Sequence, residues 1–161
     1  MKTALTIGFF DGVHLGHREL LKRLRMKPHA TILTFSNHPK GVLNPPAPEL
    51  LISHADKMAI LKQYADLVVV LPFNHELAAT PFDALLARFE LSHILLGEGS
   101  AFGKGREGNE KNVREYANLR GIIVEYIPKF LVQGEVVSSS RIRKVMGEGN
   151  MNLANQLLGK S

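Results

Sequence analysis

Two histidines three residues apart, His14 and His17, stand where a strand-like stretch gives way to a helix-like one. Ala4 to Ile7 is short and mostly apolar, while Arg18 to Arg25 sets leucines on one side and charges on the other, at helical spacing. Gly8, Phe9, Phe10, Asp11, Gly12 and Gly16 lie in and around the junction, so the order reads strand, glycine-bearing turn, helix. A helix N-terminus presents free N–H groups and the positive end of the helix dipole, which suits a phosphate. Imidazoles at this spacing can face the same anion from the first helical turn.

Plainer readings of these residues are weaker. A lone histidine near a helix start is commonly a cap, but two of them with Asp11 and three glycines point to a ligand. A metal pair would need a third or fourth protein ligand. The chain has no cysteine and no third ligand at a convincing spacing. Gly8, Gly12 and Gly16 are spaced too widely for the dinucleotide fingerprint.

A second anion-binding pattern lies near the C-terminal end. Ser138, Ser139 and Ser140 precede a helical segment with Arg141, Arg143 and Lys144 among its first residues. One serine suffices for a cap, so the others, the free N–H groups and Arg143 are read as phosphate ligands. Gly99 to Lys104 resembles a phosphate-binding P-loop only superficially. Its glycine spacing is one short, and Gly105 stands where serine or threonine is needed. His38-Pro39 is either a rigid turn or a ligand contact, and His29, His54, His75 and His93 are read as structural or exposed.

The segment Gly8-Phe-Phe-Asp-Gly-Val-His-Leu-Gly-His17 resembles the signature of the His-x-Gly-His nucleotidyltransferases. In this longer form it is similar to the FMN adenylyltransferase module of bacterial FAD synthetases. Thr34-Phe-Ser-Asn-His-Pro39, Phe102-Gly-Lys-Gly-Arg106 with Gly108, and Val137-Ser-Ser-Ser-Arg-Ile-Arg143 match that family's further motifs in order and spacing. Ser140 replaces the usual threonine. The family usually has Asn or Asp followed by Phe where this chain has Gly99-Ser100, which touches the substrate pocket. Phe9, where many relatives carry Asn, is a milder departure.

The resemblance implies transfer of AMP from ATP to FMN, giving FAD and pyrophosphate, with Mg2+ accompanying ATP and no dedicated protein ligand for it. It implies catalytic roles for His14, His17 and Arg143, and phosphate contacts from Gly8, Phe9, Phe10, Asp11, Gly16, Ser139 and Ser140. It implies flavin or nucleotide contacts from His38, Pro39, Phe102, Lys104 and Arg106. Alternatives stay open: another phosphate acceptor (phosphopantetheine, nicotinate mononucleotide, a phosphoalcohol receiving CMP) or a degenerate nucleotide-binding module. Family members usually continue into a riboflavin kinase domain after a segment like Leu157-Leu158-Gly159. Residues 1–161 therefore read as one adenylyltransferase domain, and riboflavin phosphorylation is expected to be absent.

The elements that must position these residues alternate. Strands are expected at Ala30–Phe35, Leu67–Leu71 (a central one, being fully apolar), His93–Gly97 and Ile122–Ile127, with a further one within Phe130–Val137. Helices are expected from Ser53 as cap to Ala65, from a Thr80-Pro81 start to Phe89, over Asn109–Leu119, Ser139–Met146 and Asn152–Leu158. Asn37 to Pro48 carries four prolines and reads as irregular. This is an α/β fold, Rossmann-like, with a parallel five-stranded type of sheet and helices on both faces. The motifs fall after strand ends, where such sheets bind ligands.

Composition agrees. The 161 residues are 45% hydrophobic, enough for a real core, and no apolar run approaches the ~20 residues of a membrane span. The absence of cysteine and of room for a signal peptide fits a cytoplasmic protein. The net charge of +5 is spread beside glycine-rich loops rather than along a basic helix. Small nucleotides and flavins are therefore the expected partners, not nucleic acid or membrane, and the oligomeric state is not readable.

Overall fold

The computed structural model describes residues 1–160. Five parallel strands form the central sheet: β1 (Thr3–Ile7), β2 (Ala30–Phe35), β3 (Leu67–Leu71), β4 (Leu91–Gly97) and β5 (Ile123–Ile127), in the order β3-β2-β1-β4-β5. The chain thus leaves β1 to one side, builds β2 and β3, and returns to the other side for β4 and β5. The crevice beside the C-terminal end of β1 is the place where such a sheet receives ligands.

Side-chain alternation along β1 divides the core. Ala4 joins Leu20, Leu21 and Leu24 of α1 (Leu15–Arg25) and Leu61 of α3 (His54–Leu61) on one face. Leu5 and Ile7 join Leu85 and Leu86 of α5 (Phe82–Leu86) and Val113 of α6 (Glu110–Asn118) on the other. Both faces are covered by helices, as a parallel sheet requires. A third cluster packs α7 (Ser139–Gly147) on α8 (Met151–Leu157) through Ile142, Val145, Ala154 and Leu157.

Several expectations are corrected. Leu67–Leu71 is an edge strand, and Leu67 is 56% exposed. An apolar run reports that both faces are covered, not that both edges are. The helix begun by Ser53 ends at Leu61 rather than Ala65. The proline-rich segment contains one helical turn, α2 (Lys40–Leu43). Thr80 does not cap the next helix; its hydroxyl donates to Glu76 O at 2.9 Å, closing the short α4 (His75–Ala78) that Asn74 caps. Helix α5 then stops at Leu86, short of Phe89. Phe130 to Val137 forms an antiparallel hairpin, β6 (Leu131–Val132) and β7 (Glu135–Val136), separate from the sheet.

Candidate functional site

The turn between β1 and α1 is strained and heavily braced. Phe10 (φ 59°), Gly12 (φ 79°) and Val13 (φ 42°) all have positive φ, across a single 3-10 turn at Asp11–Val13. A β-branched residue there is a backbone outlier, and such outliers persist only where the surroundings over-determine them. The Asp11 carboxylate, 4% exposed, accepts from Leu51 N at 3.0 Å and pairs with the Arg143 guanidinium. Ser139 Oγ donates to Asp11 O at 3.2 Å, and Arg18 Nε to Val13 O at 2.8 Å. Gly12 holds a φ of 79° that side chains rarely adopt, and a Cβ there would lie 2.8 Å from Leu158 Cδ2. A Cβ on Gly16 would lie 3.0 Å from His14 Cε1, so the imidazole rests directly over that glycine.

The two imidazoles stack, with ring centroids 3.6 Å apart and planes 13° from parallel, and Phe10 meets His17 edge-on at 5.2 Å. His14 caps α1: its Nδ1 accepts from His17 N at 3.2 Å. When the His14 ring is neutral, its proton therefore sits on Nε2, which makes Nε2 a hydrogen-bond donor. Burial pushes His14 down to about 4, and burial followed by repulsion from His14 pushes His17 well below its ordinary value. The pair is neutral at neutral pH in the free protein. A bound polyanion would have to raise these values before either ring charged. His17 Nδ1 is buried with no hydrogen-bond partner among the described residues. An unpaired buried ring nitrogen calls for a ligand or solvent oxygen.

A cleft of about 240 Å3 opens beside these rings at the ends of β1, β4 and β5. Of the sequence-derived candidates, Gly8, Phe9, Phe10, His14, Gly16 and His17 line it. The far wall is Gly97, Glu98 and Ser100 together with Pro128, Lys129 and Phe130. Asp11, Ser139 and Arg143 lie against the back of the turn instead. Arg143 also donates to Glu49 O, from Nε at 3.1 Å and Nη2 at 2.9 Å. Ser138 is the cap of α7, accepting from Arg141 N at 3.1 Å, which leaves Ser139 to the turn and Ser140 exposed.

The remaining candidates lie elsewhere. His38 stands 4.7 Å from the Phe9 ring, its Nδ1 accepting from Lys40 N, with Pro39 leading into α2. Burial pushes its imidazole below the ordinary value, with Asp11 opposing. Phe102 bridges to Gly108 and packs on Phe82 at 6.3 Å, while Lys104 N donates to Thr80 O at 2.9 Å. The Phe102–Arg106 segment therefore folds against α5, off the cleft wall. Among the described residues no three histidine or acidic side chains gather for a metal. Both oxygens of Asp11 are engaged, one by Leu51 N and the other by the Arg143 guanidinium.

One residue at the site escapes a reading of the sequence. Lys57 of α3 is 2% exposed and donates to Phe9 O at 3.1 Å and Phe35 O at 2.9 Å. It sits between Asp56 and Met58 with no motif around it, so only the fold reveals it.

Residues 1–141 match the family described as FAD synthetase. A bifunctional riboflavin kinase/FMN adenylyltransferase of Haemophilus influenzae is 33% identical over 169 residues, spanning 98% of this chain and 55% of that protein. A FAD synthetase of Listeria monocytogenes is 32% identical, spanning 96% of this chain and 68% of that one. The chain thus spans about half the length of the bifunctional relatives it matches. In fold it resembles a Streptococcus pneumoniae structure described as a macrolide-efflux protein, with TM-score 0.86, 24% identity, 99% of this chain and 57% of that one. It also resembles pantothenate synthetase from Thermus thermophilus, with TM-score 0.60, 15% identity, 99% of this chain and 75% of that one. At these identities the likeness concerns the fold alone, a five-stranded parallel sheet flanked by helices.

Proposed function

Since the chain belongs to the FAD synthetase family, we propose that it transfers AMP from ATP to FMN, giving FAD and pyrophosphate. The observation that carries this is the stacked His14–His17 pair, held at a helix N-terminus beside the cleft at the sheet's C-terminal edge. In the proposed reaction a phosphate oxygen of FMN attacks the α-phosphorus of ATP in line. The bond from that phosphorus to the bridging oxygen breaks, and pyrophosphate leaves. No group on the protein becomes covalently attached. Catalysis by positioning and charge stabilisation suffices for such a step.

His14 donates from Nε2 to the α-phosphoryl oxygens, His17 stands beside it, and the N-terminal amides of α1 add their partial charge. Rings that are neutral in the free protein and surrounded by apolar atoms gain the most when anionic phosphate enters. Ser139, Ser140 and Arg143 would serve the leaving pyrophosphate, Arg143 reaching it by exchanging part of its hold on Asp11. His38 and Pro39, near Phe9, and the Phe102, Lys104 and Arg106 segment would meet the flavin after closing toward the cleft. Magnesium belongs to the substrate here, carried on the phosphates of ATP. Nucleotide and flavin substrates accord with a cytoplasmic setting, and no helix among the described residues is long and apolar enough to cross a membrane.

The test is chromatographic: the purified chain with ATP and Mg2+, offered FMN or riboflavin. FAD is expected from FMN, and riboflavin is expected to remain unphosphorylated by these 161 residues. Ser100, which lines the cleft, favours one rival, a different phosphate acceptor. ATP binding with no FAD, and turnover of another acceptor, would establish that rival.

A further inference from the structure

The Lys57 ammonium is buried at the C-terminal ends of two neighbouring strands. Its donors reach Phe9 O, just past β1, and Phe35 O, the last residue of β2, with Thr34 Oγ1 at 3.5 Å. The Thr34 hydroxyl donates to the same Phe9 carbonyl at 3.1 Å, and the ammonium lies 3.8 Å over the Phe9 ring. A cation in this position is costly, because burial disfavours charge. Burial pushes Lys57 down to about 8, with the Asp11 carboxylate opposing that shift. The carbonyls it pairs offset that cost, so the place of the ammonium is defined by what it grips.

What it grips is the entrance to the strained turn. Phe9 precedes Phe10, whose left-handed backbone aims its ring at the edge of His17, and Phe9 itself forms part of the cleft wall. Pinning the Phe9 carbonyl with two donors fixes the peptide from which Phe10, Asp11 and the His14 cap all follow.

We propose that Lys57 is a positioning residue of the transfer site: by holding the Phe9 and Phe35 carbonyls together it sets the turn that orients His14 and His17, and so governs turnover rather than substrate binding. This rests on the FAD-forming reading above.

The experiment compares the full chain with Lys57→Met, Lys57→Arg and Thr34→Val. It measures kcat and KM for ATP and FMN, ATP affinity by calorimetry, and melting temperature. Small misplacements of reacting groups cost large factors in rate, so Lys57→Met is expected to lose about 10-fold or more in kcat with KM and ATP affinity within about 3-fold. Lys57→Arg should recover part of the rate, and Thr34→Val should lose a smaller factor. A folded Lys57→Met protein with wild-type kcat, or one altered only in KM, overturns the assignment. If Lys57→Met does not fold, Thr34→Val decides: reduced kcat at unchanged KM supports it, and unchanged kcat overturns it. A wild-type chain that makes no FAD would defeat the functional reading itself, and this inference with it.

Discussion

Two glycine-rich turns follow adjacent strands of the sheet, and they are built to opposite specifications. The turn after β1 holds positive φ at Phe10, Gly12 and Val13; the loop after β4 holds it at Gly99, Gly103, Gly105 and Arg106. Each contains a single 3-10 turn. In the first, Asp11, Gly12 and Val13 are buried, and the turn is held by Lys57, Leu51 N, Ser139 and Arg143. In the second, residues 104–107 are exposed, held by the Phe102–Gly108 bridge, a bond from Lys104 N to Thr80 O and one from Asn112 Nδ2 to Glu107 O. Strain that is braced from four sides makes a rigid platform. Strain on the surface makes a segment able to move at small cost.

That contrast orders the expected effects of mutation. His17→Ala on the platform should lower kcat by ~10² or more with a smaller loss of ATP binding, read by steady-state kinetics and calorimetry. Unchanged turnover would remove the role assigned to it. Arg143→Met leaves the Asp11 carboxylate buried without its partner. It should cost about 3 kcal/mol of stability, read from denaturant midpoints, and impair FAD formation as well. Should the melt be unaltered, the turn is not braced from behind.

The platform should also respond to acid. His14 has a folded value of about 4 against an ordinary 6.5, so the unfolded chain takes up its proton first. The contribution of this imidazole is constant well above 6.5 and falls as the pH drops from 6.5 to 4, by about 3 kcal/mol at the lower end. His17 shifts in the same direction and adds to the loss. Saturating ATP should flatten this dependence, because bound phosphate favours the charged rings; a melting series with and without ATP checks both signs. The smallest effects belong to the exposed loop and the cleft rim. Lys104→Ala should raise KM for FMN by roughly 3-fold to 10-fold with kcat held, and Lys129→Met should raise KM for ATP by a similar or smaller factor. A large kcat loss from Lys104→Ala would erase the distinction between the two turns.

Residue type and spacing reach far where they carry the chemistry. His14 and His17 face one another because a helix start imposes that geometry, and the alternation of apolar strands and amphipathic helices determines the α/β class. Sequence misleads where tertiary context decides. Nothing local distinguishes an edge strand covered on both faces from a central one, so Leu67–Leu71 reads as central and lies at the edge. Thr80-Pro81 has the form of a helix start, yet the threonine spends its hydroxyl on the preceding turn. The protonation of His14 and His17 depends on how deeply they are buried, which no spacing reveals. Lys57 and the Asp11–Arg143 pair join residues distant in sequence, and an isolated lysine in a helix carries no signal of its eventual partners.

The Asp11–Arg143 contact spans 132 positions of sequence, and that distance sets an order of events during synthesis. At about 5–20 residues per second, the carboxylate waits on the order of ten seconds for its counter-charge to be made. Until then the N-terminal turn has its strand and its histidines but not the guanidinium that pairs with Asp11, and a carboxylate in that condition stays in water rather than sinking beneath Leu51. A nascent chain therefore cannot assemble a working phosphate platform ahead of schedule. The most ligand-ready piece of the sequence is made first and locked last.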